Sequence, residues 1–402
     1  MSSGRVQLSA AGIQDKSLTG SPQVTFFVKN FSRFSKFALE VLEVPFDQPS
    51  DFGAFLACTV PRFGQLIRGM YLKLVLPPLV PDTCGYTDSI GNAVVDHADL
   101  LIGGKVIERI NGEYMQLYSQ TFLGESQQNA LTYLVGDTKG SGLGPASVTA
   151  TKYGPYPRTL LVPLPFYFNR SDPLAVPLCA LTRQEVEVQL KLRTLDKLIA
   201  GGLSATAATQ LQVSLAVEYV FMGDDAVSLF QNSTLDYPIT QLQQFSGVIN
   251  PGETSTQLRF EFVNPVKELF MVIQDQDADT FDFRNASAGN TDQLASLRLE
   301  FNGEVILSDV IADEVYLSIN TFLQCHTRVP EIYAYCYSFA IDPENYLPTG
   351  QVNMSRIQNK IGYLTTTPNP KARNVRVYAK SYNVLRVKDG IAGVIFMDNN
   401  FF

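Results

Sequence analysis

Two stretches of this sequence, about 200 residues apart, share one pattern. The tetrapeptide GKVI at residues 104–107 is followed 199 positions later by GEVI, and TFL at residues 121–123 is followed 200 positions later by the same tripeptide. In both copies a short apolar run with a central glycine leads into a segment whose apolar residues recur at helical spacing. A chain that contains such a unit twice is predicted to fold as two similar halves.

Further pairs of similar segments follow in the same order along the chain. The segment PFYFNR at residues 165–170 resembles YSFAI at residues 337–341, and residues 217–225 resemble residues 381–389. Each match alone is weak, but a shared order is what a duplication produces.

The spacing between the copies shortens from 200 to 171 positions at one place. There the first half contains a stretch rich in glycine, serine and threonine at residues 124–159, whereas the second half needs only residues 324–331. Two copies of one fold that differ by a surface loop would produce this change. We therefore predict a tandem β-sandwich with its junction near residues 228–244.

Alternation of apolar and polar residues predicts that both halves are built from strands. Every second residue of EVEVQLKL at 185–192 is valine or leucine, and the others carry charged or amide side chains. Because successive side chains of a strand lie on opposite faces, this pattern predicts one buried face. Other strands are predicted at 176–181, 211–219, 258–262, 297–301 and 375–379. Besides the two repeated helical segments, a short helix is predicted at 194–200, so the fold class is all-β.

Length and charge restrict the function. A chain of 402 residues fits two domains of about 200 residues each. The net charge of −8 argues against a general nucleic-acid binder. This charge is uneven, because residues 1–40 carry five basic and two acidic side chains and residues 363–402 carry six and two. The two ends are therefore basic and the middle is acidic.

The cysteines and the N-terminal sequence are typical of a protein made in the cytosol. Five cysteines, an odd number without CxxC spacing, are expected to be reduced and to pack as small apolar side chains. They are Cys58, Cys84, Cys179, Cys325 and Cys336. The N-terminus has no apolar run typical of a signal peptide, and no segment approaches the roughly 18 apolar residues of a membrane span.

Asn-x-Ser/Thr sequons are expected to remain without glycans in such a protein. They begin at Asn30, Asn169, Asn232, Asn285 and Asn353. Asn169 and Asn353 lie within two of the segments that carry the family resemblance described next, at strand ends, so we expect them to serve in turns or caps.

A series of segments over nearly the whole chain carries a family resemblance. In order they are GRVQL (4–8), GIQD (12–15), LTG (18–20), QVTFF (23–27), FALE (37–40), CTVPR (58–62), GMYL (69–72), PLPFYFNR (163–170), NPVKELF (264–270), YSFAIDPE (337–344), PTG (348–350), NMSRI (353–357), YNVLR (382–386) and GIAG (390–393). Each is unspecific alone. Together, in this order, the chain resembles the double jelly-roll major capsid proteins of the nucleocytoplasmic large DNA viruses.

The resemblance implies two tandem eight-stranded jelly-roll β-sandwiches with short helices in loops. Its implied organisation is an N-terminal arm at residues 1–24, a first jelly roll at 25–227, a linker at 228–244 and a second jelly roll at 245–402. The implied role is structural, without enzymatic activity or cofactor: three chains form a homotrimer, a pseudo-hexameric capsomer that tiles an icosahedral shell.

The resemblance also implies partners and a location. Neighbouring capsomers, minor capsid proteins and penton proteins are the implied contacts, and no direct contact with nucleic acid is expected. The basic N-terminal arm would face an inner membrane or acidic partners. The protein would be a virion component that is made and assembled in the host cytoplasm.

Two departures from the family bear on its role. The chain is short for the family, and its candidate outer loops, at 124–159 and 275–293, are modest, so we expect a low outer surface. It has no tryptophan, which relatives commonly place in the segments matched here by Tyr167 and Met271. A minor capsid paralogue of the same fold is therefore an alternative to the principal shell protein.

No pattern in the sequence predicts a catalytic or metal site. Cys325 and His326 lack further ligands at suitable spacing, and His97 lies far away in sequence. The glycine-rich residues 136–144 lack the order of a phosphate-binding loop, so an exposed loop is expected. The carboxylates of residues 275–279 and Asp282 alternate as calcium ligands can, but without the glycine and closing glutamate of a known calcium loop we expect a solvated loop.

Two other classes of jelly-roll protein stay open on the residues alone. A carbohydrate-binding module would present a polar or aromatic sheet face and would need no trimer. A glycoside-cleaving enzyme would need two carboxylates at working separation in a cleft. The sequence contains many acidic residues but does not indicate which of them lie together.

Overall fold

The computed structural model describes residues 3–28, 33–81, 84–136, 158–200 and 204–396. The chain divides into a short N-terminal unit, residues 1–36, and a large unit, residues 37–402. The N-terminal unit contains helices α1 (Ser3–Ser9) and α2 (Lys16–Thr19), with a 3₁₀ turn at Ile13–Asp15. No helix within these described ranges is long and apolar enough to cross a membrane.

Among the described residues, the first half of the large unit forms ten strands. They are β1 (Phe37–Pro45), β2 (Phe55–Thr59), β3 (Leu66–Leu76), β4 (Leu79–Val80), β5 (Val95–Ile102), β6 (Lys105–Asn111), β7 (Arg158–Pro163), β8 (Val186–Leu192), β9 (Thr206–Ala207) and β10 (Gln212–Met222). Two antiparallel four-stranded sheets result, in the orders β1-β10-β3-β7 and β2-β8-β5-β6, while β4 pairs with β9. Apart from the hairpin of β5 and β6, the longer strands alternate between the two sheets along the chain, which is the connectivity of a jelly roll.

The second half repeats this arrangement. Its strands are β11 (Leu235–Ile249), β12 (Ser255–Arg259), β13 (Pro265–Asp275), β14 (Leu294–Phe301), β15 (Glu304–Leu307), β16 (Ala334–Ser338), β17 (Val352–Asn353), β18 (Lys360–Thr366), β19 (Arg373–Lys388) and β20 (Ile391–Val394). The sheet orders are β11-β19-β13-β16 and β12-β18-β14-β15, with β17 and β20 added to β13 and β19. Strand by strand, these match the two sheets of the first half, so the predicted pair of eight-stranded jelly rolls is confirmed.

Helices are few and lie in the connections between strands. In the large unit they are α3 (Ile90–Ala93), α4 (Gly112–Thr121), α5 (Glu125–Val135), α6 (Asp224–Asn232) and α7 (Thr321–Cys325), which a π-helical turn at Tyr316–Asn320 precedes. Single 3₁₀ turns lie at Tyr167–Asn169, Asp172–Leu174, Leu195–Leu198, Ala286–Ala288 and Met354–Arg356.

The repeated sequence unit occupies the same place in both jelly rolls. The hairpin β5–β6 turns at Gly103 and Gly104 and leads into α4, and the hairpin β14–β15 turns at Asn302 and Gly303 and leads into α7. All four turn residues have positive φ, between 53° and 88°, a conformation that glycine and asparagine adopt most readily. The repeated sequence unit therefore codes for the same type of hairpin turn at the same place in both jelly rolls.

The sequence-based elements differ from the structure in several places. The strand predicted at 176–181 is a turn in which Val176 alone bridges to Ile67, and the helix predicted at 194–200 is a 3₁₀ turn. The stretch at 124–159 begins with the packed helix α5 rather than with loop, and residues 137–157 lie outside the described ranges. The predicted linker at 228–244 contains the end of α6 and the first ten residues of β11. The predicted domain limits themselves stay predictions.

Candidate functional site: the junction between the jelly rolls

The side chains of strand β19 alternate between two packed regions, one on each side of its sheet. Val375, Val377 and Ala379 point into the core of the second jelly roll. The intervening Tyr378 belongs to the apolar cluster that runs through the first jelly roll. The outer face of this sheet is therefore a covered surface, and its cover is supplied by the first half of the same chain.

Helix α4 supplies the centre of this cover. Asn111 caps it, accepting a hydrogen bond from the backbone N–H of Tyr114 at 2.8 Å, and donates to Gln244 of β11 at 2.9 Å. The carboxylate of Glu113, in the first turn, receives the guanidinium of Arg376 at 2.6 Å and the hydroxyl of Tyr378 at 2.7 Å. Burial raises the pKa of Tyr378 well above its ordinary value, so this hydroxyl acts as a donor.

A second polar contact joins β6 of the first jelly roll to β11 of the second. The buried carboxylate of Glu108 pairs with Arg170 and accepts from the backbone N–H of Tyr167 at 2.7 Å. Arg170 in turn donates to the hydroxyl of Thr240 in β11. The amide of Gln241 donates to the carbonyl of Ile107 at 2.6 Å. Because buried charges are tolerated when they are paired and bonded, these contacts fix the relative position of the two jelly rolls.

A third cluster lies on the same face of the second jelly roll, beside the C-terminal end of α4. Glu268 of β13 lies 3.1 Å from the Lys380 ammonium and 3.3 Å from Nε2 of His326. The Lys380 ammonium also lies over the ring of Phe122, at 3.9 Å from its centroid. Burial alone would raise the pKa of Glu268, but the positive charges of Lys380 and His326 lower it to about 2.

Two matching apolar surfaces remain exposed. The sheet β1-β10-β3-β7 of the first jelly roll corresponds to the covered sheet of the second. Its edge strand β1 has the outer apolar side chains Phe37, Leu39 and Val41, which are 53%, 45% and 58% exposed. On the second jelly roll, the segment that corresponds to α4 exposes Val315, Ile319 and Leu323. Their spacing of four residues places them on one side of a helical segment. We call these the strand face and the helix face.

Polar residues adjoin the strand face, towards the end of β1. Lys73 of β3 lies 2.6 Å from Glu43 of β1, and Ser214 of β10 donates to the same carboxylate at 2.7 Å. The bonds to Lys73 and Ser214 lower the pKa of Glu43. An edge strand with such apolar side chains is normally protected from unspecific pairing by a partner or by charge.

The N-terminal unit is rich in exposed apolar side chains. Val6, Leu8, Ile13 and Leu18 are exposed in its helical part, and Val24, Phe26, Phe27 and Val28 follow. Arg5 and Lys16 add positive charge to the same segment.

The residues singled out in the sequence do not form a catalytic centre within the described ranges. His97 lies 3.1 Å from Asp96, and the carboxylates of residues 275–279, where a solvated loop was expected, have separate partners: the buried Asp275 accepts from Gln293 and Asn369, and Asp277 pairs with Lys371. The glycine-rich stretch at 136–144 lies outside the described residues apart from Gly136. All five cysteines are free thiols.

The predicted turn and capping roles of Asn353 and Asn169 are confirmed. The side chain of Asn353 caps the turn at Met354–Arg356. Asn169 donates to the carbonyl of Leu164 at 2.8 Å and accepts from the N–H of Met70 at 3.3 Å, so it joins a turn to a strand. Tyr167 and Met271, the two residues singled out in connection with the missing tryptophan, are both buried.

Sequence reasoning missed the cluster at the end of α4. His326 lies beside Glu268 and Cys336, not in a site with Cys325. Among the described residues this is the one group of three histidine, cysteine or acidic side chains whose ligand atoms lie within 4.8 Å of one another.

Comparison with known proteins agrees with the fold. Residues 25–223 match the family model of the major capsid protein N-terminus, and residues 228–393 match that of the large eukaryotic DNA virus major capsid protein. The chain is 28% identical to the major capsid protein of Pyramimonas orientalis virus and 26% identical to that of Phaeocystis pouchetii virus. In each case the match covers 98% of this chain and all of the relative.

Solved structures share the same architecture. A capsid chain in a quasi-atomic structure of the PBCV-1 virus capsid matches with a TM-score of 0.81 and 24% identity, over 93% of this chain and 100% of that one. The Faustovirus major capsid protein matches with a TM-score of 0.72 and 10% identity, over 94% of each chain. With two jelly rolls in tandem, a shared strand order and matches along nearly its whole length, the chain belongs to the double jelly-roll major capsid proteins of the nucleocytoplasmic large DNA viruses, and its role is that of a structural capsid protein.

Proposed function

We propose that three copies of this chain form a closed trimer, and that this trimer is the capsomer that tiles an icosahedral shell. The observation that carries the proposal is the junction between the jelly rolls. Within one chain, the helical segment of the first jelly roll covers the outer sheet face of the second. The corresponding pair, the helix face and the strand face, is exposed and apolar.

The duplication supports a repeat of the same contact between chains. If the helix face of one copy covers the strand face of the next, each jelly roll meets its neighbours through one type of contact. Such a head-to-tail contact either closes into a ring or grows into a filament. Three chains with two jelly rolls each give a ring of six similar units, which has a near-hexagonal outline.

Burial of apolar side chains supplies the driving force for this contact. The large apolar residues of the two faces are about half exposed or more in a single chain: Phe37, Leu39 and Val41 on one side, and Val315, Ile319 and Leu323 on the other. Removing such side chains from water is worth about 1.5–3 kcal/mol each when burial is complete. The edge strand β1 is covered at the same time, which protects it from unspecific strand pairing.

The N-terminal unit is proposed to face the inner side of the shell. Its exposed apolar residues and the positive charges of Arg5 and Lys16 suit an anionic membrane surface, where each basic residue contributes about 1 kcal/mol. Neighbouring capsomers and minor and penton proteins are the further partners that a shell requires. Assembly is proposed to take place in the host cytoplasm.

The first experiment is the mass of the purified protein in solution, measured by light scattering on a sizing column, with imaging of the peak. A trimer of the 44.4 kDa chain, about 133 kDa, with a hexagonal outline is expected. A stable monomer at high concentration would contradict the proposal. It would favour a minor capsid role that requires other proteins, or a carbohydrate-binding module, for which glycan binding is the next measurement.

A further inference from the structure

Three buried side chains with metal-binding atoms converge beside the junction. Glu268 lies in β13, His326 directly follows α7, and Cys336 lies in β16. The imidazole Nε2 lies 3.3 Å from Oε2 of Glu268 and 3.6 Å from Sγ of Cys336. All three ligand atoms lie within 4.8 Å of one another.

We propose that Glu268, His326 and Cys336 bind a divalent transition-metal ion, Zn²⁺. Zinc prefers a tetrahedral set of nitrogen, sulfur and oxygen ligands at about 2.0–2.3 Å, which places the ligand atoms roughly 3.3–3.7 Å from one another. The two distances from Nε2 fall in this range. A mixed set of one imidazole, one thiolate and one carboxylate suits zinc better than the oxygen-seeking Mg²⁺ or Ca²⁺.

The surroundings place further charged groups beside the ligands. Nδ1 of His326 lies 3.5 Å from Oε1 of Glu344, and in many zinc sites a carboxylate lies beside the outer nitrogen of the ligating histidine. The second oxygen of Glu268 lies 3.1 Å from the Lys380 ammonium. Both oxygens of Glu268 and Nδ1 of His326 are buried, yet none of these contacts has the geometry of a regular hydrogen bond. Such loosely satisfied buried polar atoms call for a further partner.

The charge of the cluster permits a dication. The carboxylates of Glu268 and Glu344 both face the imidazole of His326, and the Lys380 ammonium lies beside Glu268. When Zn²⁺ binds, the imidazole coordinates through Nε2 in its neutral form, and the thiol of Cys336 loses its proton to solvent. The two carboxylates and the thiolate then balance the charges of the ion and of the Lys380 ammonium.

The ion would have a structural role at the junction. His326 packs edge-on against Phe122, at the end of α4 in the first jelly roll, with ring centroids 5.0 Å apart. Zinc would thus fix the chain after α7 to two strands of the second jelly roll, next to its contact with the first. This role lies within one chain and does not depend on the proposed trimer.

Metal content of the full-length protein tests the site. After removal of metals with a chelator, the protein is incubated with Zn²⁺ or Co²⁺ and freed of unbound ion. We expect about one ion per chain, a higher midpoint of thermal unfolding, and, with Co²⁺, the absorption band of a thiolate–cobalt bond. Cys336→Ser is expected to lose the band and to lower the affinity at least about tenfold, within the range seen when a metal site is altered.

Cys325→Ser is the matched control, because Cys325 adjoins His326 in sequence but is not one of the three ligands. It is expected to keep the band and the bound ion. If Cys336→Ser does not fold, Glu268→Gln, which preserves the side-chain shape, is expected to weaken binding in its place. Wild-type protein that retains no ion, or a band that is lost in Cys325→Ser and kept in Cys336→Ser, would overturn the proposal.

Discussion

The guanidinium of Arg376 lies 2.6 Å from the carboxylate of Glu113, although the two residues belong to different jelly rolls and are 263 positions apart. Glu113 is buried, and Tyr378 donates to the same carboxylate. The pair therefore forms a charged contact between the two halves of the chain that is largely shielded from water. Such a contact defines one relative orientation, whereas apolar packing alone tolerates several.

Loss of this carboxylate should destabilise the chain. Glu113→Ala leaves the Arg376 guanidinium and the Tyr378 hydroxyl without their shared acceptor, which should cost at least about 2 kcal/mol of the free energy of unfolding. Chemical denaturation measures the change. Asp236→Ala is the control, because Asp236 forms a similar pair with Arg386 at 2.7 Å on the surface, where a salt bridge contributes about 0–1 kcal/mol. Equal losses in the two variants would contradict this view of the junction.

A charge on the helix face should weaken the trimer. Val315→Glu places a carboxylate in a contact that is proposed to exclude water. The concentration at which the trimer dissociates should therefore rise at least about tenfold, which corresponds to a loss of about 1.4 kcal/mol of association free energy. Light scattering over a dilution series measures this. Val248→Glu makes the same change at a valine of similar exposure, 54% against 52%, outside both faces, and should leave the mass unchanged. An unchanged trimer in Val315→Glu would exclude the helix face from the contact.

The start of α4 has no room for a side chain. A Cβ atom at Gly112 would lie 2.1 Å from the carbonyl oxygen of Asn92 and 2.4 Å from that of Val95. Gly112→Ala should therefore displace backbone and lower the free energy of unfolding by about 1–3 kcal/mol. At Gly124, before α5, nothing lies within 4 Å of such an atom, so Gly124→Ala should be nearly neutral. Thermal unfolding of both variants checks the difference, and an equal Tm would mean that the close approach is absent in solution.

Charge on the N-terminal unit should control binding to anionic vesicles. Arg5→Glu combined with Lys16→Glu removes two attractive contributions of about 1 kcal/mol each, so vesicle affinity should fall at least about 30-fold. Co-sedimentation with vesicles that contain phosphatidylserine measures the affinity. The control combines Arg5→Lys with Lys16→Arg, which keeps both positive charges, and should bind as the wild type does. Unchanged binding in the Glu variant would remove the membrane from the proposed partners.

Much of the fold is predictable because strands and turns are coded locally. The alternation in β8 and the glycine or asparagine turns of the repeated hairpins follow from the properties of single residues. The covered face of β19 could not be predicted in this way. Arg376, Tyr378 and Lys380 alternate with apolar residues as a solvated face would, and their burial depends on helix α4 from the other half of the chain.

The cluster around His326 escaped prediction for a related reason. Cys325 adjoins His326 in sequence, but the cysteine whose sulfur lies beside the His326 ring is Cys336, ten positions away. Glu268 and Cys336 reach His326 from two neighbouring strands of one sheet, whose register pairs Glu268 with Ser338 and Phe270 with Cys336. This register is set by the whole sheet and cannot be derived from residue spacing.

The two jelly rolls share a strand order but differ in their connections: α5 follows α4 in the first, and a π-helical turn precedes α7 in the second. A six-membered ring formed as proposed would look hexagonal and yet have edges of two alternating kinds. Rotating one such tile by a sixth of a turn would bring unlike edges together. Each tile would therefore have a direction. All tiles of one facet would share this direction, and the seams between facets would be the lines where it changes.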